Sequence, residues 1–292
     1  MRRVVLAICG ALLPWATEAA PQPSATIPGF AVMLAFQTRP ERVGDHYSYV
    51  ADIESHTTRD GAVRDVDLRE SFTLDIVSID KAGMVVRYTQ TDAEQQPDGG
   101  DQASALLLKA WNGVPVDFQT TGNGYPGRLV DEAAVKGRLE ANFAGLSPKA
   151  VAMGPSLDHW LDGLSDAAFM NMVGERLTTI AAMQWRGLVK AGRQELPPET
   201  HQDADGGQVT VKKTVELSVA PGPPCRILAK RSTWTERPGA ANAVSSSLET
   251  EATVAESDGW VIALTETQKN VTPSAQQVRT IKISRTDAGC PS

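Results

Sequence analysis

Residues 71–92 read SFTLDIVSIDKAGMVVRYTQTD, and residues 247–268 read SLETEATVAESDGWVIALTETQ. The two segments align without a gap: Ser71 falls on Ser247, Gly83 on Gly259, Val85 on Val261, Thr89 on Thr265 and Thr91 on Thr267. Each is a strand, a turn ending in glycine, and a second strand. Just upstream, Thr57-Thr58-Arg59-Asp60-Gly61 parallels Thr235-Glu236-Arg237-Pro238-Gly239, displaced by two further residues. Together they read as a duplicated β-meander, one copy in each half of the chain.

Alternation extends outward from both copies. Tyr47, Tyr49, Ala51 and Ile53 share one strand face, and His46, Ser48, Asp52 and Glu54 the other, with Val50 the exception. Val209, Val211, Val215, Leu217 and Val219 repeat the pattern, with Lys213 out of place. A period of two with one polar face predicts an antiparallel sheet wetted on one side. Asp60-Gly61, Lys81-Ala82-Gly83, Gly206-Gly207 and Asp258-Gly259 supply hairpin turns.

The middle has a different period. In 131–143, Ala134, Val135, Leu139 and Phe143 recur at helical spacing. Ser165 is a plain N-cap for a longer helix expected to run to about Leu188, closed by Gly192 and barred from continuing by Pro197-Pro198. Its apolar stripe is Phe169, Met172, Val173, Leu177, Ile180 and Met183. Pro148 and Gly154-Pro155 read as chain breaks, with a short turn over 158–164. The predicted fold class is therefore α+β: a strongly curved antiparallel sheet or open half-barrel of two β-meander halves (29–130 and 192–292), with a helical insert (131–191) covering the concave face.

The chain opens on an export signal. Met1-Arg2-Arg3 is positive, Val4 to Ala16 is apolar and uncharged, and Thr17-Glu18-Ala19 offers small residues at −3 and −1. Residues 1–19 are expected to be removed, leaving a Pro/Ala/Ser/Thr-rich leader over 20–28 and a single domain over 29–292. The apolar run falls short of the roughly 20 residues a membrane span needs, and no later stretch reaches that length. The expected location is periplasmic or secreted. The chain carries 28 basic and 35 acidic residues; loss of Arg2, Arg3 and Glu18 leaves 26 and 34. These charges are scattered, with no basic stripe, which argues against nucleic acid as a partner.

Cleavage leaves two cysteines, Cys225 and Cys290, and an oxidising compartment favours a disulfide between them. Closing so long a loop is worth about 3–5 kcal/mol in the unfolded-state entropy model. The expected result of alkylating denatured, unreduced periplasmic protein is no labelled thiol; two labelled thiols refute the bridge.

Motifs that carry chemistry fail in context. Gly122-Asn123-Gly124-Tyr125-Pro126-Gly127 has the letters of a dinucleotide turn. However, the strand before it alternates where a buried parallel strand would be continuously apolar. Ser78-Ile79-Asp80-Lys81 matches S-x-x-K but runs from a strand into a hairpin, with no helical turn to return the lysine to the hydroxyl. No G-x-S-x-G occurs. Asp52, Glu54 and His56 share a strand face, but same-face neighbours stand nearly ~7 Å apart, too wide for one zinc. Asp203-Ala204-Asp205-Gly206 looks like the start of a calcium loop, yet Thr214 stands where the bidentate acid belongs. No catalytic residue, metal ligand or cofactor is assigned.

The aromatic and methionine residues of the insert are Phe143, Met153, Trp160, Phe169, Met170, Met172, Met183 and Trp185. They pack a helical face on the sheet or line an adaptable apolar groove. Met170 and Met172 cannot share a face, so some of this surface lies off the main stripe.

In layout the chain resembles the periplasmic lipoprotein-carrier superfamily, signal-bearing proteins whose curved antiparallel sheet is plugged by helices on its concave side. It is also similar to exported bacterial proteins that open on a Gly-Asp-aromatic strand, here Val43-Gly44-Asp45-His46-Tyr47-Ser48-Tyr49. The first resemblance implies a binder of lipid, lipoprotein or another envelope protein and carries over no individual residue. Three classes of function follow: a carrier of an apolar ligand with Phe169, Met172, Val173, Leu177, Ile180 and Met183 at its site, an envelope scaffold or interaction protein without a small ligand, or an enzyme whose site has no local motif.

Overall fold

The computed structural model describes residues 32–37, 39–81, 83–96, 102–121, 124–184, 187–202, 208–220, 226–237 and 245–287. The export segment, the leader, Cys225, Cys290, Trp185 and the Asp203–Gly207 loop lie outside the described residues.

Thirteen strands and four helices follow in the order β1 (Met33–Phe36), β2 (His46–Arg59), β3 (Ala62–Asp80), β4 (Gly83–Gln96), α1 (Gln102–Ala110), β5 (Pro115–Thr120), β6 (Pro126–Leu129), α2 (Glu132–Leu146), α3 (Pro148–Gly163), α4 (Asp166–Ala181), β7 (Gly187–Lys190), β8 (Gly192–Gln202), β9 (Gln208–Val219), β10 (Arg226–Glu236), β11 (Ser245–Ala255), β12 (Val261–Val271) and β13 (Ala275–Arg285) among the described residues. Eleven strands form one curved, unclosed antiparallel sheet in the order β6-β5-β4-β3-β2-β13-β12-β11-β10-β9-β8, and β1 pairs with β7 separately.

The alternation read from sequence sets the sheet's faces. Tyr47, Tyr49, Ala51 and Ile53 are buried and stand opposite Leu74, Phe72, Glu70 and Leu68. Ile281 and Ile283 continue the row by facing Ile53 and Ala51. The β2–β13 pairing joins the halves, and the Tyr49 hydroxyl strengthens it by donating to the Val261 carbonyl at 3.0 Å. The two aligned segments fall on β3–β4 and β11–β12. These are the second and third strands of the runs β5-β4-β3-β2 and β13-β12-β11-β10, counted inward from the ends β2 and β10. The glycines that end both turns, Gly83 and Gly259, have φ of 129° and 75°, which a side chain resists.

The Gly-Asp-aromatic opening has a local cause. Gly44 turns the chain at φ 92°, and Asp45 accepts from the Arg42 amide at 2.8 Å and from Arg39 at 2.9 Å. That places Tyr47 between the Trp260 ring, 4.7 Å away, and the Arg285 guanidinium, also at 4.7 Å.

The helices differ from the sequence reading in several places. Asp131 and Ser165 cap as expected, accepting from the Ala134 and Ala168 amides. Pro148 starts α3 instead of breaking the chain, because Ser147 caps that helix and a proline in the first turn has no amide to waste. Gly154-Pro155 lies inside α3, and the helix continues through the turn expected at 158–164. Pro155 stands on the exposed side, where water can serve the carbonyl it leaves without a donor. The last helix ends at Ala181, so Leu188 lies in β7, and Gly192 and Pro197-Pro198 lie in β8, where the register against β9 shifts between Leu196 and Glu199. Helix α1, the first helix in the described chain, precedes the predicted insert, and Pro126 and Gly127 of the glycine-rich motif lie in strand β6, which stands before α2.

The helices cover the sheet's apolar face. Helix α4 packs directly on it. Phe169, Leu177 and Ile180 are fully buried, and a Cβ added at Gly174 would come 3.1 Å from the Phe118 ring of β5. Gly174 therefore lets the helix sit against Phe118 more closely than a side chain would without a shift of that ring.

Candidate functional site

Where α4 crosses the sheet it carries two adjacent opposite charges, each answered from a different strand. Arg176, 7% exposed, donates from Nε to Glu70 of β3 at 2.7 Å, and Glu70 is itself 6% exposed. The guanidinium also donates to Glu175 at 2.6 Å, and Glu175 takes both Arg279 nitrogens of β13, one of them at 3.0 Å. Burial works against charge on Arg176, and the Glu70 and Glu175 carboxylates outweigh it, so its pKa rises. Burial pushes Glu175 up, and the Arg279 hydrogen bond with the two neighbouring guanidinium charges holds it below the ordinary carboxylate range. Next along the face, burial holds Glu266 of β12 above that range against a 3.3 Å hydrogen bond from Thr250.

Beside this network a cavity of about 250 Å³ opens between α1, α4 and the β3–β4 pair. Leu107, Leu108, Trp111, Met172, Val173 and Tyr88 give it apolar walls, and Glu70, Gln90, Gln95, Glu175 and Arg176 its polar part. Met172 is 37% exposed at its rim. Gln90 is fixed by donating to the Leu108 carbonyl at 2.8 Å and to Asn112 at 2.7 Å.

Of the six insert residues singled out from sequence, Met172 and Val173 border the cavity. Phe169, Leu177, Ile180 and Met183 are packed in the core. Phe169 lies 6.2 Å from the Trp111 ring and 5.0 Å from the Lys136 ammonium. The polar half of the site was not anticipated, though each strand charge left a trace. Glu70, Arg279 and Glu266 occupy inward phases otherwise filled by Phe72 and Leu74, Ile281 and Ile283, and Leu264.

A larger trough of about 870 Å³ runs along the solvent face past Asp52, Glu54, His56, Asp67, Arg69 and Lys282. Its polar side chains pair across strands, His56 by a hydrogen bond with Asp65 at 2.6 Å and Lys282 by an ion pair with Glu54 at 2.8 Å. No group of three metal-ligating side chains converges among the described residues. No helix there is long and apolar enough to cross a membrane, which says nothing of strands. The trough is the wet face of a sheet, so the smaller seam cavity, with apolar and polar walls, is the candidate site.

No family model and no curated protein matches the chain. Among solved structures it is similar to lipovitellin, in a study of that protein's lipid–protein interactions, at 12% identity and a TM-score of 0.47, covering 86% of this chain and 26% of that one. The chain thus spans about a quarter of that protein, and the functional argument rests on its own residues.

Proposed function

We propose that this chain is an exported binder or carrier of an amphiphilic, lipid-class ligand, held at the seam between α1, α4 and the sheet. The observation that carries the reading is the composition of that cavity: aliphatic and aromatic walls reached past a methionine at the rim, meeting a buried polar floor. Such a mixture orients a molecule with one apolar and one polar end. At about 250 Å³ the space is smaller than most drug-sized pockets, so it takes a short amphiphile or the end of a longer one. Methionine suits such a rim because its unbranched thioether adapts to different chains.

Met172→Trp is expected to fill the entrance. Lipid extracted from the purified variant should fall severalfold below wild type, while Tm moves by no more than a few degrees, because Met172 is 37% exposed at the rim and stands outside the buried core. An unchanged lipid load would count against the site. Export is tested by the intact mass of periplasmic protein. The expected N-terminus lies at Ala20 or within two residues of it, and a mass that retains Met1 to Ala16 refutes export with cleavage.

A further inference from the structure

We propose that the seam cavity selects ligands whose head group donates hydrogen bonds, a hydroxyl or an amine, and rejects carboxylate and phosphate heads. This inference rests on the seam being a ligand site and names the class of ligand it takes.

The hydrogen-bond inventory of the walls carries it. Arg176 is the cation of the lining, and it is already held on both sides, by Glu70 at 2.7 Å and 3.4 Å and by Glu175 at 2.6 Å. Glu175 is answered in turn by Arg279, so the four charges balance and both guanidiniums are committed to carboxylates. Gln90 spends both amide hydrogens on Leu108 and Asn112, so the carbonyl oxygen is what its side chain has left to offer. Tyr88 is buried and lines the cavity, and its hydroxyl has no hydrogen-bond partner among the described residues. Burial, and then the charge of Glu70, push its ionisation well above the ordinary tyrosine range, so it stays a neutral phenol.

Gln95 adds a neutral amide that can donate or accept, and the charged members of the wall offer acceptors with no free cation. A ligand hydroxyl can donate toward Glu70 or Gln90 and accept from Tyr88. An ammonium can donate likewise, beside the rings of Tyr88 and Trp111. A carboxylate would shed its water to face two carboxylates with no uncommitted cation.

Three eight-carbon probes with one tail separate the heads: octan-1-ol, octylamine and octanoate, titrated calorimetrically at pH 7 into the full mature chain. Octan-1-ol and octylamine are expected to bind at least tenfold more tightly than octanoate. Glu70→Gln should narrow that ratio. Tyr88→Phe removes one oxygen without touching the ion pairs, and should weaken octan-1-ol severalfold while leaving octanoate unmoved; it decides the matter if Glu70→Gln does not fold. Octanoate binding as tightly as octan-1-ol overturns the head-group inference and leaves the seam site standing. If none of the three probes binds, the site and the inference fall together.

Discussion

Replacing Arg176 with methionine is expected to lower the unfolding free energy by about 3–5 kcal/mol at neutral pH, the cost of breaking a buried ion pair from one side. Glu70 then stands in the interior with a carboxylate and no cation, while Glu175 keeps Arg279. The penalty depends on pH in a definite sense. An unpaired buried carboxyl titrates above its unfolded value of about 4.3, so between those two values the folded variant holds a proton that the unfolded chain has released. Stability in that window falls as pH rises. The deficit relative to wild type should therefore shrink on acidification from pH 7 toward pH 4. Urea unfolding of both proteins at several pH values measures this. A deficit that is small, or constant with pH, would mean that Glu70 is solvated and that the pair does not hold α4 to the sheet.

Leu177→Asp should be at least as damaging, about 4 kcal/mol or more, because it puts a charge where no partner exists. Leu177 has no exposed surface and lies in the same apolar cluster as Phe169 and Ile180. The comparison with Met172→Trp is the informative one. Both positions belong to α4, but one is core and the other borders the cavity, so stability should collapse in the first variant and ligand retention in the second. A Leu177→Asp protein with near wild-type Tm would show that the helix is only loosely seated.

Much of this architecture is legible in sequence because strand faces are written in a period of two. Tyr47 to Ile53 and the apolar side of 71–92 declare which side of the sheet is covered. Helix ends were harder to place, for two reasons. Proline reads as a stop in sequence, whereas Pro148 occupies a first turn and Pro155 an exposed side where the lost hydrogen bond is replaceable. The apolar spacing also continues past Ala181 through Met183 to Leu188, although α4 ends at Ala181 and β7 begins at Gly187. Helix α1 is nine residues long, too short for a periodic pattern to stand out. The site was half legible: Met172 and Val173 belong to the stripe, but pairing Arg176 with Glu70 and Glu175 with Arg279 requires knowing which strands lie under α4. Charges in an inward phase were the available sign.

The eleven-stranded sheet does not close, so β6 and β8 each have one neighbour among the described strands. An unclosed ribbon of this kind is a template: a free rim of amides and carbonyls can add strands from other molecules and grow into a fibre. Here the growth points are blunted. At one rim the strand is four residues long and begins with Pro126. At the other, Pro197 and Pro198 delete two consecutive amide donors at a bulge, and Arg193, Glu195 and Glu199 set charges along the same rim. A chain so built resists edge-to-edge addition without curling its sheet into a barrel.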